Sequence, residues 1–131
     1  MQMKVFDLDT ARETLVLIKP IVEEINLKRM ELTEAYEKFH EEEDELEKMY
    51  LEAHMKELDR LIDSLFRKIE ALGGVIKGVD PILVDFLSFY KNRYIWLCWK
   101  EDEETIMYWH ELNEGFVGRK PISILEEENL W

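Results

Sequence analysis

Residues 51–74 read LEAHMKELDRLIDSLFRKIEALGG, and this stretch decides the fold. Its apolar side chains recur at alternating intervals of four and three residues: Leu51, Met55, Leu58, Ile62, Leu65, Ile69 and Leu72. This spacing is typical of a long helix that packs along a second helix. The pattern stops at Gly73-Gly74, where glycine permits the left-handed conformation that ends many helices. The stretch therefore predicts one long helix and its C-terminus.

A second apolar seam lies upstream and predicts the partner helix. It has similar spacing, with a polar interruption at Arg29: Leu15, Ile18, Val22, Ile25, Leu32, Tyr36 and Phe39. Thr10 and Glu13 have the spacing of a capping box at the start of this helix. Pro20 lies within the seam and is expected to kink the helix, because proline lacks a backbone donor.

Five consecutive acids, Glu41 to Glu45, separate the two seams. Because like charges repel, this run is expected at a solvated tip between two antiparallel helices, which would form a hairpin. The alternative is one continuous helix, since no glycine lies between Ala11 and Leu72. Such a helix would extend ~90 Å and bury its apolar stripe only against another chain. The change of phase between the seams favours the hairpin.

After Gly74 the pattern changes from helix to strand. Residues 94–100 (YIWLCWK) and 105–110 (TIMYWH) are rich in aromatic and branched side chains, and an acidic break separates them. We therefore predict an α+β fold, in which a long antiparallel helical hairpin packs with a small antiparallel β-sheet. The prediction is a single domain over 1–131: the hairpin at 10–72, the sheet and a glycine-containing loop at 75–122, and an acidic tail at 123–131.

Composition narrows the classes of partner. The 131 residues include 30 acidic and 17 basic side chains, for a net charge of −13, and no basic stripe. Nucleic acid and anionic membrane surfaces require clustered Lys and Arg, so neither is expected as a partner. The single cysteine excludes an internal disulfide and a multi-cysteine zinc site. No apolar stretch approaches the ~18 residues of a membrane span, and no signal peptide is recognised, so a cytoplasmic location is expected.

The aromatic strand pair suggests a partner protein. A turn at Asp102-Glu103 places Ile95 opposite His110, and both faces of the pair are then apolar. One face would be covered by the helices and the other by a second subunit. The candidate interface residues are Trp96, Trp99, Tyr108 and Trp109. The leading hypothesis is therefore an interaction or assembly module that acts as a homo-oligomer or as a subunit of a complex.

The alternative hypothesis is a small metal- or anion-binding enzyme. Cys98, His110 and Glu111 offer the thiolate, imidazole and carboxylate groups that bind a divalent metal. In the register above, Cys98 and His110 point to opposite faces, whereas a three-residue turn would bring them together. His110, Glu111 and Asp85 are also candidates for acid–base catalysis. The plainer interpretation of Cys98 is a small buried hydrophobe.

Two basic residues are candidates for binding an anionic ligand. Arg119 and Lys120 follow Gly118, although surface salt bridges are the favoured interpretation of these residues in an acidic protein. Asp85 interrupts an apolar run, and a buried carboxylate there requires a partner. We expect Arg119 or Arg93 to be that partner.

Several short segments together resemble a known family. They are FDLDTA at 6–11, LVDF at 83–86, LCW at 97–99, WHEL at 109–112, and the Gly115-Phe116, Gly118-Arg119 and Pro121-Ile122 pairs. The chain resembles, over nearly its whole length, the small prokaryotic family catalogued as domain of unknown function two-two-zero-three. That family carries no established activity, so the resemblance implies the organisation of the chain and no particular reaction.

Overall fold

The computed structural model describes residues 3–123, so the predicted acidic tail lies outside the described residues except for Ser123. Two helices precede five antiparallel strands: α1 (Leu8–Glu41), α2 (Glu45–Ala71), β1 (Val75–Val79), β2 (Ile82–Tyr90), β3 (Arg93–Lys100), β4 (Tyr108–Glu111) and β5 (Lys120–Pro121). Each strand pairs with the next, which gives a sheet in the order β1-β2-β3-β4-β5. The α+β fold class, with its helical hairpin and small sheet, is confirmed.

The chain, expected as one domain, divides into two compact units. One comprises the residues up to Lys19 together with those from Ile69 onward, and the other is Pro20–Lys68. Within Pro20–Lys68 the chain reverses at residues 42–44, inside the acidic run, so the continuous-helix alternative is wrong. None of the helices in residues 3–123 combines the length and the apolarity that crossing a membrane requires.

The ends of the helices follow from local hydrogen bonds. The Thr10 backbone N–H donates to Asp7 Oδ1 at 2.8 Å, and the Asp7 N–H donates to Thr10 Oγ1 at 3.1 Å. Asp7 therefore caps α1, and the predicted capping box of Thr10 and Glu13 is wrong. At the end of α2, Gly73 adopts a φ of 103° and the Gly74 N–H donates to the Ile69 carbonyl at 3.2 Å. This is the glycine cap that the sequence predicts.

One side of the sheet faces the first turns of α1. The Phe6 ring meets Phe86 edge-on, with 5.2 Å between ring centroids. A Cβ atom on Gly74 would lie 2.8 Å from Val84 Cγ1 and 3.4 Å from Ile18 Cδ1, which shows how closely the backbone approaches this side. Apart from the exposed Arg93 at the start of β3, the residues of β2 and β3 that point here are buried: Ile82, Val84, Phe86, Ser88, Tyr90, Ile95, Leu97 and Trp99. We call this the packed side of the sheet.

Candidate metal site

The opposite side of the sheet carries a cluster of three polar residues from three strands. Asp85 in β2 lies directly opposite Cys98 in β3. His110 in β4 lies opposite Trp96, two residues before Cys98 on the same strand. Because side chains alternate between faces along a strand, Asp85, Cys98 and His110 point to the same side. We call this the site side of the sheet.

The register of β3 and β4 differs from the predicted one by one residue. Ile95 pairs with Glu111 and Trp96 with His110, whereas Ile95 was expected opposite His110. The strand predicted at 105–110 begins only at Tyr108, because its pairing with β3 starts there. In that segment the buried Ile106 turns its carbonyl to Arg12, whose Nη2 donates to it at 2.7 Å. The shift brings Cys98 and His110 to one face, as the three-residue-turn alternative requires.

The three side chains are close together and almost inaccessible to solvent. One potential ligand atom from each of Asp85, Cys98 and His110 lies within 4.8 Å of the other two. Their relative exposures are 1%, 2% and 3%. A buried cluster of a carboxylate, a thiol and an imidazole is costly to form unless the polar atoms satisfy one another or hold a cation.

Hydrogen bonds fix the orientation of the His110 ring. Its Nδ1 lies 2.9 Å from the Glu111 carbonyl oxygen, which can only accept, so Nδ1 carries a proton. Its Nε2 lies 2.8 Å from Asp85 Oδ2. Burial disfavours the charged imidazolium, but the bonds to Asp85 and to the Glu111 carbonyl outweigh burial and raise the pKa of His110. The ring therefore presents Nε2 to the cluster.

Asp85 is only partly satisfied by this bond. Its Oδ1 is buried and has no hydrogen-bond partner in the described part of the chain. Buried carboxylate oxygens are nearly always paired, so an orphaned oxygen calls for an explanation. A cation held between Asp85, Cys98 and His110 would supply one.

The surroundings of Cys98 favour the protonated thiol. Burial, reinforced by the neighbouring Asp85 carboxylate, raises the pKa of Cys98 to about 12. A thiol with so high a pKa is a poor nucleophile at neutral pH. A bound metal cation reverses this effect, because it deprotonates the thiol that coordinates it.

A cavity of about 220 Å³ opens over the cluster. Its walls come from β1, β2 and the loop that follows β4: Lys77, Leu83, Glu114, Gly115 and Phe116. Glu114 is fixed in the wall, since its Oε1 accepts from Lys120 Nζ at 2.8 Å and from the Glu111 N–H at 3.1 Å. The Lys120 bond, followed by the Glu111 N–H, lowers the pKa of Glu114, which is therefore a charged, paired anchor of the loop.

The structure replaces one predicted metal ligand with another. Glu111 was expected beside Cys98 and His110, but adjacent residues on a strand point to opposite faces. Glu111 instead accepts two bonds from Arg93, at 2.9 Å from Nε and 2.7 Å from Nη2. Asp85, expected as a catalytic candidate, takes its place in the cluster.

The residues expected to hold an anion are occupied elsewhere. Arg119 Nη1 donates to both carboxylate oxygens of Glu103, at 3.0 and 2.9 Å, and its guanidinium lies over Tyr108 and Phe116. The expected pairing of Asp85 with Arg119 or Arg93 is wrong, because the Asp85 carboxylate bonds to His110. Lys120 is engaged with Glu114.

The aromatic residues expected at an interface belong largely to the core. Trp96, Trp99 and Trp109 are all buried within the chain, and Tyr108 is half-buried. The single chain already covers these tryptophans, so they leave little surface for a second subunit. Lys77 lies over the Trp96 ring, Lys120 lies over Trp109, and the Trp99 Nε1–H donates to the Glu103 carbonyl at 2.8 Å.

Sequence reasoning missed Lys77. This lysine belongs to β1, where the pairing with β2 is irregular between Ile76 and Gly78. A bulge of this kind re-aims side chains, and here Lys77 comes to line the cavity and lies over the Trp96 ring at 4.4 Å. Nothing in its local sequence distinguishes it from the other lysines.

The chain matches the family described as uncharacterized conserved protein DUF2203 over residues 4–122. It therefore belongs to this family, as the resemblance of its short segments indicated. Neither the curated proteins nor the solved structures contain a match to the chain.

Proposed function

We propose that this member of the DUF2203 family binds one divalent transition metal ion through Asp85, Cys98 and His110. The observation that carries the proposal is the convergence of these three buried side chains, whose ligand atoms lie within 4.8 Å of one another. In addition, Asp85 Oδ1 has no hydrogen-bond partner among residues 3–123. Burial of such groups lowers stability, and binding a cation would compensate for that cost.

The chemistry of the ligands selects the kind of metal. A thiolate and an imidazole suit zinc and its borderline neighbours, whereas Mg²⁺ and Ca²⁺ prefer oxygen ligands. Around a tetrahedral zinc ion with bonds of about 2.1 Å, two ligand atoms lie roughly 3.4 Å apart. The three groups are within 4.8 Å, so small side-chain movements suffice to reach that geometry. The Nδ1–H of His110, bonded to the Glu111 carbonyl, is the usual outer support of a metal-bound imidazole.

The same three residues are poorly arranged for cysteine-based nucleophilic catalysis. Such a mechanism needs a histidine nitrogen bonded to the thiol as its base. In this structure both nitrogens of His110 are engaged, one with Asp85 and one with the Glu111 carbonyl. Three protein ligands with a remaining position open to a cavity are instead typical of catalytic zinc sites. We therefore propose that the bound metal activates a small molecule in the cavity.

Titration of the metal-free protein with Co²⁺ tests the proposal. A thiolate ligand produces a charge-transfer absorption band, which distinguishes this site from weak binding by the many surface carboxylates. We expect one equivalent of cobalt with this band in the wild type, no such band in Cys98→Ser, and affinity reduced more than ~10-fold in Asp85→Asn and His110→Gln. Glu111→Gln is the matched control, because it changes the neighbouring side chain that points away, and it should bind as wild type does. Cobalt binding without the band, or equal binding in Cys98→Ser, contradicts the proposal.

We infer a second property, self-association through the helical hairpin. Within Pro20–Lys68 only Val22, Ile25, Ala35, Leu51 and Leu58 are buried apolar residues. Exposed apolar side chains are more numerous there: Leu27, Met30, Tyr36, Leu46, Met49 and Tyr50. Two helices whose apolar side chains remain exposed are suited to pack against a second copy of the chain and form a four-helix bundle. The proposed cytoplasmic location agrees with a free thiol at the metal site, since thiols stay reduced there.

Sedimentation velocity at micromolar concentration tests this second proposal. Tyr36 lines a groove between the helices together with Leu32 and Met55, so Tyr36→Glu should convert a wild-type dimer to a monomer. Glu37→Lys alters the charge of the adjacent exposed position and should leave the dimer intact. A wild type that sediments as a monomer contradicts self-association and leaves the metal site untouched.

A further inference from the structure

Lys77 differs from the other basic residues that surround the site. Arg93 pairs with Glu111, Arg119 with Glu103, and Lys120 with Glu114. Among residues 3–123, the structure gives Lys77 no ion pair. Lys77 is an exposed residue of β1, and what distinguishes it is its place in the wall of the cavity.

The position of Lys77 is defined by more than its charge. Its ammonium lies 4.4 Å from the centroid of the Trp96 ring, a distance at which the ring face attracts a cation. Lys77 lines the cavity together with Asp85, Cys98 and His110. The lysine is thus held beside the proposed metal.

A count of charges shows what the cavity would attract. A divalent cation is balanced by the Asp85 carboxylate and the Cys98 thiolate, and His110 is neutral as a ligand. The charge of Glu114 is balanced by Lys120, 2.8 Å away. The positive charge of Lys77 is then left unbalanced, and this charge favours binding of an anion next to the metal.

The other walls set the size and character of such an anion. Leu83 and Phe116 are apolar, and Gly115 adds no side chain. The cavity of about 220 Å³ is smaller than the roughly 300–1,000 Å³ typical of pockets for drug-sized ligands. The space therefore suits a small molecule with one charged end and a short apolar end.

The geometry points to a small aliphatic monocarboxylate as the ligand of this cavity. One carboxylate oxygen would occupy the open position of the metal, Lys77 would neutralise the charge, and the carbon chain would contact Leu83 and Phe116. This inference rests on the proposed metal site, and it assigns to that site a class of substrate or product.

The test uses the full chain loaded with Co²⁺, with butyrate as the probe and butyramide as its neutral isostere. Butyrate should change the visible absorption bands of cobalt in a saturable way, and butyramide should not. Lys77→Met, which keeps the apolar stem, should weaken butyrate binding at least ~10-fold while the thiolate band and cobalt affinity stay unchanged. Lys77→Arg should retain most of the binding, and Lys91→Met, at an exposed turn, should behave as wild type.

A second comparison tests the apolar walls. Butyrate should bind roughly 10-fold more tightly than acetate because it buries two more methylene groups, and Phe116→Ala should reduce this preference. The inference is overturned if Lys77→Met binds butyrate as tightly as wild type does. It is also overturned if cobalt spectra that show the thiolate band do not respond to butyrate, and in both cases the metal site itself is unaffected. A wild type without the thiolate band overturns the metal site itself.

Discussion

The two sides of the sheet are built from the same strands, yet they differ in almost every chemical respect. On the packed side, Val84, Phe86 and Trp99 are buried among apolar neighbours beneath the start of α1. On the site side, the alternate residues Asp85 and Cys98 bring a carboxylate and a thiol together with His110. A step of one residue along β2 or β3 therefore separates the hydrophobic core from the proposed chemistry.

The difference indicates what each side contributes. Apolar burial on the packed side is the main source of folding free energy. The site side buries Asp85 Oδ1, which has no hydrogen-bond partner among residues 3–123 and therefore opposes folding, and proteins commonly keep such costs at functional sites. The comparison predicts that substitutions on the two sides will separate stability from metal binding.

The largest effect on stability is expected from Phe86→Ala. Removing this fully buried ring should lower the free energy of unfolding by about 3–5 kcal/mol, as measured by chemical denaturation. Phe89→Ala is the matched control three residues along the same strand, on the site side and half-exposed, and should cost less than about 1 kcal/mol. Similar losses for both would mean that the two sides do not differ as described.

The next effect is stabilisation by the metal. Zinc in 100-fold excess over its dissociation constant should raise the free energy of unfolding by about 2.7 kcal/mol. Cys98→Ser should lose most of this gain, while Phe89→Ala should keep it. A zinc-dependent rise of the same size in Cys98→Ser would place the metal elsewhere.

A smaller effect is the coupling between Asp85 and His110 in the metal-free protein. Their bond of 2.8 Å is buried, so the losses from Asp85→Ala and His110→Ala should be non-additive by about 1–2 kcal/mol. Denaturation of the two single variants and the double variant measures this coupling. Strictly additive losses would show that the pair does not interact.

The smallest effect concerns the cap of α1, the helix that covers the packed side. Asp7→Ala should cost about 1 kcal/mol at pH 7 and leave cobalt binding unchanged. The Thr10 backbone N–H, followed by the Thr10 hydroxyl, lowers the pKa of Asp7 below 3.8. A lowered pKa means that the charged cap stabilises the fold above pH 3.8 and that this contribution is lost as the pH falls through the folded-state pKa. The variant and wild type should therefore converge in stability at acidic pH, and a constant difference down to pH 2 would contradict this account.

Much of the fold could be predicted because its determinants are local. The apolar seams, the acidic run at the tip and Gly73-Gly74 each act within a few residues, and together they define the helical hairpin. The cap at Asp7 was missed because Asp7 and Thr10 have the same spacing as Thr10 and Glu13, and sequence alone did not rank them.

The site could be predicted only in part because it depends on register. Asp85, Cys98 and His110 were each recognised. They converge only because the register of β3 and β4 differs by one residue from the predicted register, and long-range contacts such as that of Arg12 with Ile106 accompany this difference. Glu111 was included because it adjoins His110 in sequence, although it points to the opposite face. Lys77 was not recognised because its position depends on a strand irregularity.

Elemental analysis of protein purified without an affinity tag tests the central claim most directly. We predict one equivalent of zinc or a similar transition metal per chain in the wild type and in Glu111→Gln, and much less in His110→Ala and Asp85→Ala. Absence of metal from the wild type, or equal metal content in His110→Ala, would contradict the assignment of Asp85, Cys98 and His110 as a metal site.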